Sequence, residues 1–431
     1  MSDDKRSPVM WSRRDMVHGA VASIAMMTTS GAIAGPPSSA GVTTGAAALA
    51  ADGFAALAGK RVGLVANHTS RVGEHHLVDL MSKAANVRLM AIYAPEHGFR
   101  GTAVAGAAVR DGRDTATGVP VYSLYGATKS PTPAMLADVD MLVFDIQDIG
   151  ARFYTYISTM GLAMQAAARH GIAFVVLDRP NPLGGEDVSG FVLEPLLRSF
   201  VGQYPIPIVH GMTVGELARM IKGERLLDGL ATLDLQVIAC RGLTRAMRWP
   251  TTRLPWVPTS PNIPTFLSAL AYPGIGMVGE TLVNEGRGTP RPFLQFGAPW
   301  LDAPRLVETL TRARLPGVRF EVVRATPRAI PAVALDPRFM GQEIAAVRLD
   351  ITDVATYRPL EVGMHALAGL ALQARMNGVS LLPMKPGMFN AMAGTTRLFR
   401  MLNAGTNGAD IIADWQSEVT RFRQRRLPYL V

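Results

Sequence analysis

Met141-Leu-Val-Phe-Asp-Ile-Gln-Asp-Ile-Gly-Ala-Arg-Phe-Tyr-Thr-Tyr156 is an apolar run that ends abruptly in Asp145, Gln147, Asp148, Arg152, Tyr154 and Tyr156. A buried parallel strand has this pattern when it empties its C-terminal end into a polar crevice, and in open α/β sheets ligands bind in that crevice. Two carboxylates, one guanidinium and two phenols in so short a stretch suit a hydroxyl-rich ligand. The same groups would serve equally as a buried ion-pair network bracing a loop.

Working outward, residues 61–66, 87–93, 139–145, 172–177 and 233–239 have the continuous apolar character of buried strands. Helical patterns at 76–85, 158–170 and 214–222 separate them. The alternation predicts an α/β fold with a mostly parallel, doubly wound sheet. The first strand runs into Asn67-His68-Thr69-Ser70, with neither a Gly-x-Gly-x-x-Gly turn nor a Walker-type lysine loop. A nucleotide cofactor therefore loses its main warrant. Residues 249–300 are dense in Pro, Gly and Trp and read as a long connection that helps build the site. Strands at 318–323 and 345–351, with helices at 359–376 and 408–426, predict a second, smaller α/β domain.

A chain of 431 residues suits about two domains. Nearly half of it is apolar and under a fifth is charged, which argues against disorder beyond the N-terminus. The net charge of +9 is scattered, and no zinc finger, RNP-like aromatic motif or basic helix supports nucleic acid. A preference for an anionic substrate fits it better. Cys240 is the one cysteine, so no intramolecular disulfide and no cysteine metal site can form. Ser12-Arg13-Arg14-Asp15-Met16 precedes a weakly apolar stretch, 17–34, and then small residues at Ala32-Ile33-Ala34 and Ser38-Ser39-Ala40. This is the order of a twin-arginine export signal, too polar for stable membrane insertion. The expectation is a signal and linker over 1–40 and a periplasmic or secreted mature protein.

Several strand ends carry chemistry. The second leads into Pro95-Glu96-His97-Gly98, where a carboxyl beside apolar neighbours suits a general acid. The fourth ends in Asp178-Arg179-Pro180-Asn181-Pro182, whose prolines stiffen the loop. Between Gly279 and Thr289, Glu280, Glu285 and Arg287 sit among glycines that suit a loop wrapping a polar ligand. Asn262 adds a hydrogen-bonding group, and Trp249 and Trp256 suit either the core or an apolar platform. Glycoside hydrolysis typically uses two carboxyls, one protonated and one ionised, and Glu96 with Glu285, Asp145 or Asp148 would supply them. Substrate-assisted catalysis through a 2-acetamido group would need only one strong protein acid plus an orienting group. No His-x-x-x-His or dense Asp/His set occurs, so no metal and no other cofactor is expected.

Taken together, Pro95-Glu96-His97-Gly98, the stretch 144–158, 177–185, His210-Gly-Met-Thr-Val-Gly-Glu-Leu217, Ser260-Pro-Asn262 and Glu285-Gly-Arg-Gly-Thr289 resemble the exo-β-N-acetylmuramidase (NamZ-type) family over about residues 58–431. The resemblance implies a Rossmann-like N-terminal catalytic domain, here 55–245, and a C-terminal α/β domain, 246–431, contributing to the cleft. It also implies release of N-acetylmuramic acid from the non-reducing end of peptidoglycan-derived MurNAc-GlcNAc fragments. By position, Glu96 becomes the acid or base, with Asp148 and Glu285 as candidate catalytic partners. His97, Asp145, Arg152, Tyr154, Tyr156, Asp178, Arg179, Asn181, Asn262 and Arg287 become candidate substrate contacts. Relatives often carry Glu-Gly-Thr-Asn where this chain has Gly279-Glu280-Thr281-Leu282, which leaves Glu280 outside the assignment. The lactyl carboxylate of N-acetylmuramic acid gives Arg152, Arg179 or Arg287 a partner. The rival expectation is a non-catalytic muropeptide-binding protein using the same cleft.

Overall fold

The computed structural model describes residues 41–96, 98–99 and 111–431; the expected export signal and His97 lie outside the described residues. Residues 61–66 do form the first strand, β1 (Arg61–Ala66), followed by a short hairpin of β2 (Arg71–Val72) and β3 (His75–His76). Then come β4 (Arg88–Ala94), β5 (Gly112–Arg113), β6 (Pro120–Ser123), β7 (Met141–Asp145), β8 (Ala173–Leu177) and β9 (Leu235–Ile238). Except for the β2–β3 pair they build one sheet in the order β5-β6-β4-β1-β7-β8-β9, parallel throughout except at β5–β6. The order reverses between β1 and β7, where Ala66 pairs with Asp145, so both strands hand over to polar loops at one level.

Helices α1 (Gly45–Ala51) and α2 (Leu77–Lys83) share one apolar cluster with β1 and β4. Beyond the short α3 (Pro133–Leu136), α4 (Tyr156–His170) and α5 (Val214–Gly223) pack in a second cluster that includes β7 and β8. Local signals set their ends. Thr213 and Glu216 form a reciprocal capping box at the start of α5, and Gly171 closes α4 in the left-handed conformation.

The stretch 249–300 is not the long connection its composition suggests. It holds α6 (Trp249–Thr252), the thirteen-residue α7 (Phe266–Val278) and β10 (Gln295–Ala298). Helix α7 is buried on nearly every face, so it lacks the polar stripe that marks a surface helix. Its Pro273, Gly274 and Gly276 resemble helix breakers in sequence. After it come α8 (Ala303–Arg312), β11 (Val318–Ala325), β12 (Ile344–Ile351) and α9 (Pro359–Met376). The three strands form an antiparallel sheet in the order β10-β12-β11. The chain closes with α10 (Gly387–Ala393), α11 (Arg397–Ala404), α12 (Gly408–Asp414) and α13 (Gln416–Arg425), so the single helix expected over 408–426 is broken at the buried Trp415. The apolar core runs without interruption from beneath α4 and α5 into α7 and α9.

Candidate active site

A cleft of about 500 Å³ lies beyond the ends of β4 and β7, lined by Glu96, Tyr154, Thr155, Tyr156, Ser260, Asn262, Tyr272 and Arg287 among others. Glu96 leaves the end of β4, and the Thr155 hydroxyl, at the N-terminus of α4, donates to its Oε2 at 3.1 Å. The Tyr154 phenol donates to Thr259 Oγ1 and the Tyr156 phenol to the Thr259 carbonyl, both at 2.9 Å. The two rings meet edge to face at 5.1 Å. They thereby fix the turn that brings Ser260 and Asn262 to the cleft.

Tyr272, from α7, packs edge-on against Phe153, Tyr154 and Phe293. Burial pushes its phenol up to about 12 and raises those of Tyr154 and Tyr156 further. All three are neutral hydrogen-bonding groups in the working range of pH. Asn262 donates to the Val333 carbonyl at 2.8 Å. Arg287 is ion-paired with Glu285, and its guanidinium sits 5.0 Å from the centre of the Phe293 ring with a third of the side chain exposed. Next to Glu96 stands Tyr125, whose phenol burial, and then the Glu96 charge, push up to about 12. Lys129 lies over the Tyr125 ring at 3.3 Å.

Among the described residues, Glu96 is the one carboxylate lining this cleft. Other expected site residues turn inward. Asp145 has no exposed surface and holds Arg179 through two bonds, 2.6 and 2.9 Å, so here the ion-pair reading is the correct one. Arg152 is also sealed: it donates to the carbonyls of Phe191, Ile206 and Met392 at 2.7–2.8 Å, and burial lowers its pKa to about 9. It ties the strand-end loop to the end of α10 and does not line this cleft. Asp178 caps α5 by accepting from Gly215 N and Thr213 Oγ1, and burial raises its carboxyl to about 6. Asn181 is occupied by Met212 O and Leu183 N. Glu285 is buried behind Arg287, which it orients.

Asp148 is buried and does not line the cleft. Its Oδ2 accepts from Gly150 N at 2.7 Å, its Oδ1 has no hydrogen-bond partner, and burial raises the carboxyl to about 7. The turn that makes the Gly150 bond needs glycine: φ is +82°, and a Cβ there would sit 2.2 Å from Asn181 Oδ1.

Thr155, Ser260 and Tyr272 line the cleft without being among the expected contacts, although Ser260 opens the Ser260-Pro-Asn262 motif. Thr155 stands between the two chosen tyrosines, and Tyr272 is a polar-tipped side chain in an otherwise apolar helix, a signal that could have been used. Cys240 is partly buried; its thiol donates to the Asp178 carbonyl and burial pushes its pKa up. Among the described residues no group of three or more His, Cys, Asp or Glu side chains could hold a metal ion.

Comparison with known proteins gives one consistent result. Residues 62–267 match the family model of exo-beta-N-acetylmuramidase NamZ, N-terminal, and residues 270–431 match its C-terminal counterpart. The peptidoglycan beta-N-acetylmuramidase NamZ of Bacillus subtilis strain 168 is 40% identical over 396 residues, covering 90% of this chain and 91% of that protein. A crystal structure of a DUF1343 family protein from Bacteroides fragilis superposes with a TM-score of 0.82 at 36% identity, covering 90% of this chain and 98% of that one. A second from the same organism gives 0.73 at 34% identity, with 91% and 99% covered.

Proposed function

The chain belongs to the NamZ family of exo-β-N-acetylmuramidases, and from that membership and the Glu96 cleft we propose that it is a glycoside hydrolase releasing N-acetylmuramic acid from the non-reducing end of peptidoglycan fragments. The observation that carries the site assignment is the lone carboxylate: among the described residues only Glu96 lines the cleft, amid neutral phenols and an asparagine amide. One acid suffices for both proton transfers when the substrate's 2-acetamido group takes the place of the protein nucleophile and a neighbouring group orients it. Glu96, protonated, gives its proton to the glycosidic oxygen as the C1–O bond breaks, while the carbonyl oxygen of the 2-acetamido group bonds to C1. The leaving sugar departs as an alcohol. Glu96, now ionised, takes a proton from water, whose oxygen attacks C1 and reopens the ring formed by the acetamido group. Thr155 orients the carboxyl through its 3.1 Å bond, and Arg287 meets the lactyl carboxylate.

Proton NMR of the first product formed should show the β-anomer, since two displacements at C1 retain configuration. First appearance of the α-anomer would exclude this route. In the same assay Arg287→Ala should raise KM for a muramide by about ten-fold, the loss of one charge-assisted contact, with kcat little changed. The reading of residues 1–40 as a twin-arginine signal adds export to the proposal, and Arg13→Lys with Arg14→Lys would then hold the protein in the cytoplasmic fraction.

A further inference from the structure

A second cavity, of about 630 Å³, opens at the point where the strand order of the large sheet reverses. Thr69 and Arg71, which follow β1, Gln147, which follows β7, and Arg179, which follows β8, give it a polar side. Trp249, Leu254 and Val257 give it an apolar one. Crevices at such reversals are where open α/β sheets take their ligands, yet the reaction proposed above uses none of these residues. One turn separates the two cavities: Val257 lines this one and Ser260 the Glu96 cleft. That turn is pinned from both sides, by the His68 ring against the Pro258 carbonyl at 2.5 Å and by the two phenols on Thr259.

The polar side is not self-satisfied. Gln147, 2% exposed, donates from Nε2 to the carbonyls of Asp148 and Pro180, but its Oε1 accepts no hydrogen bond. Arg179 commits Nε and Nη2 to Asp145 and to the Arg71 carbonyl, and among the described residues its Nη1 makes no hydrogen bond. Arg71 donates only to the carbonyls of His68 and Glu74, so among the described residues no carboxylate offsets its charge. The unmet demands are an anion for Arg71, an acceptor for Arg179 Nη1, an N–H or O–H donor for Gln147, and alkyl groups for the Trp249–Leu254–Val257 side, and a carboxylate meets the first two together.

We propose that this crevice binds a short peptide with a free carboxylate, the chemistry of the stem carried by the lactyl group of a muropeptide. The proposal rests on the muramidase reading for its choice of ligand. The peptide comes either free or still joined to its sugar, and two probes separate those sources: an alanyl-γ-glutamate dipeptide and its N-acetylmuramoyl form. Each is titrated into the purified protein and followed by tryptophan fluorescence, to which Trp249 contributes, and by calorimetry.

Saturable binding of either probe is expected, weakened by about ten-fold or more when its carboxylates are amidated and in Arg71→Met. Filling the cavity with Val257→Trp should weaken it similarly. Both variants should still hydrolyse a stem-free chromogenic muramide at the wild-type rate. Binding of the muramoyl form alone assigns the site to stems attached to sugar, and binding of the dipeptide alone to free peptide. No binding of either at millimolar concentration overturns the proposal, as does binding that neither substitution weakens. Failure of the muramidase reading would show separately, as wild-type protein inactive on the stem-free substrate.

Discussion

At Asp148 burial works against the charge. The carboxyl would titrate near 3.9 in an unfolded chain and is raised to about 7 when folded. Between those pH values the folded state binds more protons than the unfolded one, so stability declines as pH rises from about 4 toward 7. Asp148→Asn keeps an acceptor for Gly150 N and has no charge to bury. It should gain on the wild type by about 2–4 kcal/mol between pH 5 and pH 8, measured by thermal unfolding at both. A stability difference independent of pH would show that Asp148 is not held in this way. At this scale the sequence was a partial guide. Tyr154 and Tyr156 do face the cleft, whereas Asp145 and Arg152, from the same stretch, face the interior. Past the last ladder pair of β7 the alternation of faces ends, so the pattern says where the loop begins but not which way each side chain points.

The elements were more legible. β1, β4, β7 and β8 lie within two residues of their expected bounds, because continuous apolar runs between helices have few other solutions. Helix α7 was hidden by its own packing. It crosses α9 at a glycine pair: a Cβ on Gly274 would lie 2.0 Å from the Pro359 carbonyl oxygen, and one on Gly363 2.5 Å from the Gly274 Cα. Residues that look like breakers along the chain are there for backbone contact between helices. Gly363→Ala should therefore cost about 1–3 kcal/mol by overpacking. Gly387→Ala, at the start of α10 with nothing within 4 Å of the new methyl, should be neutral or slightly stabilising. Denaturant titration of the two variants distinguishes them, and equal stabilities would argue against the close crossing.

Across the whole molecule, the cleft draws Glu96, Tyr154 and Tyr156 from the seven-stranded half and Asn262, Tyr272 and Arg287 from the chain after it. The long continuous core beneath both halves is what holds these groups in register. Composition argues against disorder, but the convergence of loops separated by more than a hundred residues depends on topology, which the local pattern does not carry. The net charge of +9 suits anionic cell-wall fragments without selecting among them. In the proposed reaction selection falls to the cleft, with Glu96 at its chemical centre. The decisive measurement is hydrolysis of a chromogenic β-N-acetylmuramide and the matching β-N-acetylglucosaminide by wild type and Glu96→Gln, with binding of free N-acetylmuramic acid to the variant measured alongside. Release from the muramide alone, lowered by about 10²–10⁴-fold in a variant that still binds the sugar, is the predicted result. Wild-type turnover by Glu96→Gln would contradict it.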